Sequence, residues 1–324
     1  MSWTERLARL LDNPLIVKDG VSRMRSWRAP FVITLYLGLL GLFGYAFFVL
    51  AAIYPQGQRV GAAQVGASTF TALALIQLAL VSLFAPALAA GAISGERERR
   101  TLDVLLVSRV TPLGIVWGKL MASVGFMLLL IVAALPLFAA VFLFGGIDFQ
   151  QFVVTQLLTV TTALAMASTS LFCSALFRRT LTSTVVAYGV AFFGLVGTLV
   201  GGVMLTVAAY VRAGSLAASP DPHPLLFANP FYAVNQLINE PSGSPVHLGR
   251  LLQLLFALGG PPLQIGPTIE PWQATILVQL VIIVVSLFGA VQLLQGWRPL
   301  VPRREEEPVL EQGEPPELPE GSRA

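Results

Sequence analysis

The sequence predicts an all-α protein that crosses a membrane with six transmembrane helices. Hydrophobic residues make up 55% of the chain and charged residues only 11%, whereas about a quarter of a soluble protein is charged. Six apolar runs reach the length of about 20 residues that a helix needs to cross a bilayer. The predicted spans are residues 31–54, 67–93, 116–144, 152–177, 181–211 and 272–294, within one membrane domain that covers residues 29–297.

The first 28 residues are predicted to lie on the membrane surface. Leu7, Leu10 and Leu11 share one face of a short helix, which is typical of a helix that lies in the membrane interface. Asn13 and Pro14 are expected to end it, and an irregular basic N-terminus is the alternative. A signal peptide is not expected, because no short apolar core with a cleavage site follows the basic residues.

The densest cluster of charge is the stretch Gly91–Lys119, between the second and third spans. Leu102, Leu105 and Leu106 recur at helical spacing within it. This spacing predicts an amphipathic helix with one apolar face. We expect the helix to cover roughly residues 96–110 and to lie outside the hydrocarbon, where a membrane protein places such charges.

The ends of this helix are predicted from neighbouring residues. Glu96 precedes Arg100 by four positions, the order that favours a helical ion pair of about 0.3 kcal/mol. Gly95 is the expected break after the second span, and Pro112 ends the element because it disfavours a helical conformation of Thr111. The alternative is a solvated loop whose arginines only fix the topology.

Lysine and arginine are concentrated on one side of the predicted membrane. The basic side holds the N-terminal segment, the charged stretch, the turn Arg178–Arg179 and the C-terminal segment. The other side is left with Arg59, Arg212 and Arg250. The positive-inside rule then places both termini in the cytoplasm and the proline-rich connection 212–271 outside. The acidic, proline-rich tail 298–324 is predicted to be disordered.

Few strongly polar side chains lie within the predicted spans. Three are glutamines, Gln77, Gln156 and Gln279. We expect them first to hydrogen-bond between helices and only second to line a substrate route. Gly197 and Gly201 form a GxxxG spacing in the fifth span, which permits close helix packing either within the chain or across a dimer.

The external connection contains two segments that are predicted to be ordered. Residues 229–237 are expected to form a short helix with Pro230 in its first turn, a position that suits proline. Residues 248–258 are apolar but too short to span a membrane. They are therefore expected to be re-entrant or interfacial.

The sequence lacks the motifs of common membrane enzymes. The string Gly114–Lys119 is one residue short of an ATP-binding P-loop, and a leucine follows its lysine where Ser or Thr is required. His223 and His247 lie in the external connection, where an incidental role is the expectation, and Cys173 is the single cysteine. We therefore expect no enzymatic activity, no metal site and no cofactor bound to this chain.

The charged stretch resembles a known family. The strings Gly95-Glu96-Arg97-Glu98, Thr101-Leu102-Asp103, Leu105-Leu106, Thr111-Pro112 and Gly118-Lys119 closely resemble the stretch after the second span of ABC-2 type transporter permeases. The resemblance implies a coupling helix, which docks into a groove on a separate ATP-hydrolysing subunit. The residues that it assigns to ATPase coupling are Glu96, Arg97, Glu98, Arg99, Thr101, Leu102, Leu105, Leu106 and Arg109.

The resemblance implies the permease subunit of an ATP-binding cassette transporter in the inner or plasma membrane. Two permease chains, identical or different, are expected to form the pathway, and the partner ATPase is expected to bind ATP and Mg²⁺. A hydrophobic or amphipathic cargo is expected, because the cores of the predicted spans carry no charge, and export follows from the family alone. No nucleic acid partner is expected. The alternative is a membrane anchor or assembly factor that passes ATPase-driven motion to an external partner without transport.

Overall fold

A computed structural model describes residues 27–53, 61–102, 111–213, 222–239, 246–247 and 268–296. Its helices in chain order are α1 (Arg28–Ile53), α2 (Ala62–Ala89), α3 (Ser94–Glu98), α4 (Pro112–Phe142), α5 (Phe149–Leu176), α6 (Thr180–Phe192), α7 (Thr198–Ala213), α8 (Pro224–Phe227), α9 (Pro230–Asn239) and α10 (Pro271–Gly296). A π-helical turn, Phe193–Gly197, joins α6 to α7.

Six helical segments in the described part of the chain are long and apolar enough to cross a membrane, which confirms the predicted fold class. We call α1, α2, α4, α5, α6–α7 and α10 the first to sixth spans. The predicted surface helix around Leu7, the apolar segment 248–258 and the tail 298–324 lie outside the described residues.

The fourth span is the centre of the bundle. It packs against the second, third, fifth and sixth spans. In its most apolar stretch 61% of the residues are buried, compared with 17% in the first and fifth spans. Small buried side chains such as Thr162, Ala163 and Ala167 let the neighbouring helices approach closely. The first and fifth spans therefore lie at the periphery.

The turn between the third and fourth spans requires glycine. Gly145 and Gly146 have positive φ values of 79° and 87°, which L side chains rarely adopt. A Cβ on Gly146 would lie 1.9 Å from the carbonyl oxygen of Ala63. Asp148 and Gln151 then form a capping box that starts the fourth span. The turn thus packs directly on the start of the second span.

The predicted amphipathic helix is wrong at its start. Gly95 is not a break but lies inside α3, which ends at Glu98. Arg100 has a φ of 58°, and the amide of Thr101 bonds back to the carbonyl of Glu96 at 2.9 Å. This bond closes α3 as a Schellman motif does. Because the chain turns there, Arg100 does not stand one helical turn from Glu96.

The conformation of Thr111 agrees with the prediction, and the third span begins at Pro112, four residues before the predicted start at residue 116. Thr111 is extended, with φ −71° and ψ 150°, and Pro112 occupies the first turn of α4. The Thr111 side chain accepts a hydrogen bond from the amide of Gly114 at 3.1 Å. Leu105, Leu106 and Arg109 lie outside the described residues.

Two short helices, α8 and α9, follow the fifth span. The predicted helix 229–237 is confirmed as α9, with Pro230 as its first residue. The strands β1 (Val246–His247) and β2 (Thr268–Ile269) form a two-residue antiparallel pair before the last span. α9 packs against the second, fourth and sixth spans, so this part of the connection is built into the bundle.

Candidate functional site

One end of the bundle gathers the charged residues of the chain's central stretch. We call it the charged end; it comprises residues 90–102, the first turns of α4 and the turn between α5 and α6. The hydroxyl of Ser174, on the fourth span, accepts hydrogen bonds from the amides of Ile93 and Ser94, each 2.9 Å long. The hydroxyl of Ser183, on the fifth span, donates to the carbonyl of Ala90 at 2.7 Å. These buried hydroxyls fix the turn that leads into α3.

Glu96 binds the third span. Its Oε1 lies 2.8 Å from Nζ of Lys119, whose side chain is 6% exposed against 29% for Glu96. Thr101 Oγ1 donates to the other carboxylate oxygen. Lys119 lies inside α4, so this span carries one charge. A buried ammonium needs a counter-charge because taking it out of water is costly.

Arg97 binds the end of the fourth span. Its Nη1 donates to the carbonyl of Phe177 at 3.0 Å, and its Nη2 donates to the carbonyl of Ala175 at 3.2 Å. The last carbonyls of a helix have no partner within the helix. The planar guanidinium fork supplies two donors in a fixed geometry, and its positive charge also suits the negative end of the helix dipole.

Glu98 binds the start of the fifth span. Its two carboxylate oxygens accept from the backbone amide and from the hydroxyl of Thr180, at 2.8 Å each. Thr180 is the first residue of α6, where the amides have no partner within the helix and the dipole favours a negative charge. Glu98 is exposed, so solvent reaches these two hydrogen bonds.

Three consecutive charged side chains therefore contact three different spans. We call Glu96, Arg97 and Glu98 the charged hub. Their assignment to contacts with an ATPase stays a prediction; within the chain, all three side chains bind other spans. Nothing in the local pattern points to partners such as Lys119 and Thr180. The one indication in the sequence is Lys119 itself, because a lysine that is buried within an apolar helix needs a carboxylate beside it.

The other described members of the predicted coupling set are Arg99, Thr101 and Leu102. Arg99 and Thr101 are exposed, as is Arg100 between them. Leu102 is 3% exposed and belongs to the same apolar cluster as Ile93, at the centre of the bundle. Leu102 thus anchors the chain after the turn at Arg100, whereas Arg99 and Arg100 are exposed to solvent.

The three glutamines contact neighbouring helices. Gln77 and Gln156 exchange hydrogen bonds of 3.4 Å and 3.5 Å between the second and fourth spans. Gln279, on the sixth span, donates to the hydroxyl of Thr162 on the fourth at 2.8 Å. Gln279 Oε1 is buried and has no partner among the described residues. A role in lining a substrate route stays a prediction.

The two glycines of the GxxxG spacing have different surroundings. A Cβ on Gly201 would lie 3.2 Å from Leu225 of α8, so this glycine packs within the chain. Among the described residues, a Cβ on Gly197 would meet only Phe193 of its own segment, at 3.8 Å. His223 precedes α8, and its Nδ1 accepts from the amide of Leu225 at 3.3 Å. Burial lowers the pKa of His223 below its usual range.

The fold and the charged end define a class of protein. It is a multi-pass helical membrane protein whose charged element, between the second and third spans, is bonded to the third, fourth and fifth spans. Residues 18–295 match the family described as ABC-2 family transporter protein. Because the match covers most of the chain, the protein belongs to this family, which comprises membrane components of ABC transporters. No curated protein matches the sequence.

Proposed function

We propose that this chain is the permease subunit of an ATP-driven exporter, with its charged end in the cytoplasm. Two permease chains form the pathway, and a separate ATPase docks on the segment that follows Leu102 and contains Leu105, Leu106 and Arg109. The observation that carries the proposal is the charged hub. An element that binds three spans at once is placed to pass on the displacement of a docked partner.

The hub defines how such a displacement reaches the membrane. Glu96 moves with Lys119 of the third span, Arg97 with the end of the fourth span, and Glu98 with Thr180 at the start of the fifth. A pull on the coupling segment therefore acts on three helices together. In this proposal the hub residues are positioning residues, and Arg99 makes the charged contact with the ATPase.

The proposed cargo is hydrophobic or amphipathic. The cores of the six spans contain no Asp, Glu, Arg or Lys beyond Lys119, near the start of the third, and Lys119 is paired with Glu96. A small ion or strongly charged solute would need polar groups at depth. An apolar route, or one that opens sideways to lipid, suits a molecule that already partitions into the membrane.

A second function is supported by the short helices after the fifth span. They are hydrogen-bonded to the fourth, fifth and sixth spans, so motion of the bundle reaches them. An anchor that transmits ATPase-driven motion to an external partner would need such a link and no cargo pathway.

Reconstitution separates the two functions. The complex purified through a tag on this chain is placed in phospholipid vesicles, and ATP hydrolysis and movement of a fluorescent phospholipid between leaflets are measured. Transport predicts that ATP accelerates the movement and that a non-hydrolysable analogue does not. Hydrolysis without any ATP-dependent movement would favour the anchor.

A further inference from the structure

The fifth span contains a π-turn at Phe193–Gly197, between α6 and α7. A π-turn holds one residue more than the α-helical turn that it replaces, and such turns are frequent at functional sites. Restoring the regular α-helix would turn α7 by about 100°, the rotation that one residue contributes. The π-turn therefore sets the rotation of α7 relative to α6, and an α-helical turn in its place would present a different face of α7 to its neighbours.

Asn229 binds this turn from the segment that follows the fifth span. Its side chain is fully buried. Nδ2 donates to the carbonyl of Leu195, inside the π-turn, at 2.6 Å and to the hydroxyl of Thr198 at 2.8 Å. The same carbonyl also accepts from the amide of Thr198. The π-turn is thus recognised by a side chain from outside the helix.

The other half of the Asn229 amide caps α9. Oδ1 accepts from the amides of Phe231 at 2.9 Å and Tyr232 at 3.3 Å. A side-chain amide has two donor hydrogens and two acceptor sites, and Asn229 uses all four. One residue therefore joins the start of α9 to the π-turn, and no ionised or hydroxyl side chain can make the same set of bonds.

Packing on either side of Asn229 holds the same two elements together. The amide of His223 donates to Thr206 Oγ1 at 3.0 Å, and Leu226 lies where a Cβ on Gly202 would be only 2.6 Å away. α8 also binds the sixth span, because Thr275 donates to the carbonyl of Phe227 at 2.7 Å.

We propose that Asn229 is a latch that holds the short helices α8 and α9 on the fifth span and selects its π register. With the latch engaged, α7, α8 and α9 move together. Rotation of α7 into the α register would carry Thr198 away from Asn229 and break both donated bonds. The latch is a conformational device of the fold, and it applies equally to a transporter and to an anchor.

Asn229→Asp removes the two hydrogen bonds that Asn229 donates to the fifth span but keeps the cap of α9. Aspartate caps helices as well as asparagine does, so α9 keeps its first turn. The carboxylate has no donor for Leu195 or Thr198, and it would face the Leu195 carbonyl in a buried position. Thr198→Val is a second, milder variant, because it removes one of the two acceptors and leaves Asn229 and its cap intact.

Disulfide formation reports the contact between α7 and α8. In a full-length chain with Cys173→Ala, Gly201→Cys and Leu225→Cys place two thiols at a contact where a Cβ on Gly201 would lie 3.2 Å from the Leu225 side chain. The rate of crosslinking in native membranes with copper phenanthroline is measured with Asn229, Asn229→Asp and Thr198→Val. The control pair is Ser94→Cys with Ser174→Cys, whose hydroxyl oxygens are 3.2 Å apart at the charged end.

The expected result is an efficient crosslink with Asn229, a rate about tenfold lower with Asn229→Asp because buried bonds are lost, and an intermediate rate with Thr198→Val. The control pair should form equally in all three. An unchanged Gly201–Leu225 crosslink in Asn229→Asp would overturn the latch. If Asn229→Asp also loses the control crosslink, the chain has misfolded, and Thr198→Val alone decides: an unchanged rate there overturns the proposal.

Discussion

Nζ of Lys119 lies 2.8 Å from Oε1 of Glu96, and the two residues are 23 positions apart in the chain. The ammonium is almost fully removed from solvent by the third span and its neighbours, whereas the carboxylate stays partly exposed. The ion pair therefore joins α3 to the third span, the next span along the chain. It explains how a charged element on the bundle surface is held against an apolar core.

Glu96→Gln is expected to destabilise the protein, because it leaves the buried ammonium of Lys119 without a counter-charge. We expect a loss of about 3 kcal/mol, the low end for breaking a buried pair, since Glu96 keeps some contact with solvent. Thermal unfolding of the detergent-solubilised protein measures the loss. Combining Glu96→Gln with Lys119→Met should recover most of it, and a double variant no more stable than the single one would show that the pair is not responsible.

Arg97→Lys is expected to weaken the joint between α3 and the fourth span. A lysine keeps the charge but cannot reach the carbonyls of Ala175 and Phe177 together. The expected loss is about 1 kcal/mol, the usual size for one hydrogen bond, in the same unfolding measurement. Arg99→Lys is the matched control and should have no effect, because Arg99 is exposed. Equal losses in the two variants would contradict this role of Arg97.

Arg100→Gly is expected to stabilise the charged end. Arg100 has a φ of 58°, a conformation that costs an L-residue about 1 kcal/mol and costs glycine little. Arg99 has a φ of −80°, so Arg99→Gly should be neutral or destabilising. The two melting temperatures are compared with that of the unmodified chain. A lower melting temperature for Arg100→Gly than for Arg99→Gly is the contrary outcome.

Gly202→Ala is expected to destabilise the contact between α7 and α8. The new methyl group would lie 2.6 Å from Cγ of Leu226 and 3.2 Å from the Leu226 amide nitrogen. Overpacking of this kind costs about 1–3 kcal/mol. In Gly189→Ala, in α6, the new methyl group meets no described residue within 4 Å, so this variant should be neutral or slightly stabilising. Unfolding measurements that fail to separate the two variants would contradict the packing.

Much of the fold follows from the sequence because membrane spans are encoded locally. A run of apolar residues of sufficient length has few alternatives to a helix in lipid, where every backbone group needs an internal partner. The extended conformation of Thr111 before Pro112 and the start of α9 around Pro230 were predictable because proline suits the first turn of a helix and disfavours a helical residue before it. The end of α3 was not, because Arg100 adopts a conformation that glycine usually supplies.

The charged end could be located from the sequence but not understood from it. The pattern identified Glu96, Arg97 and Glu98 as members of one charged element, yet their partners in other spans lie 23 to 82 positions away. The bond from Asn229 to a π-turn is equally invisible, since apolar composition does not reveal where a helix changes its register. Such contacts depend on how the spans pack.

Recovery of a partner ATPase tests most directly whether this chain is the permease subunit of an ATP-driven transporter. The tagged chain is isolated from its native membrane, and the proteins retained with it are identified by mass spectrometry. The wild type is compared with Arg99→Glu combined with Leu105→Asp, and with Arg212→Glu as a control at the opposite end. We predict an ATPase with Walker motifs in the wild type and control and its loss in the combined variant. Absence of any such ATPase from the wild type would contradict the account.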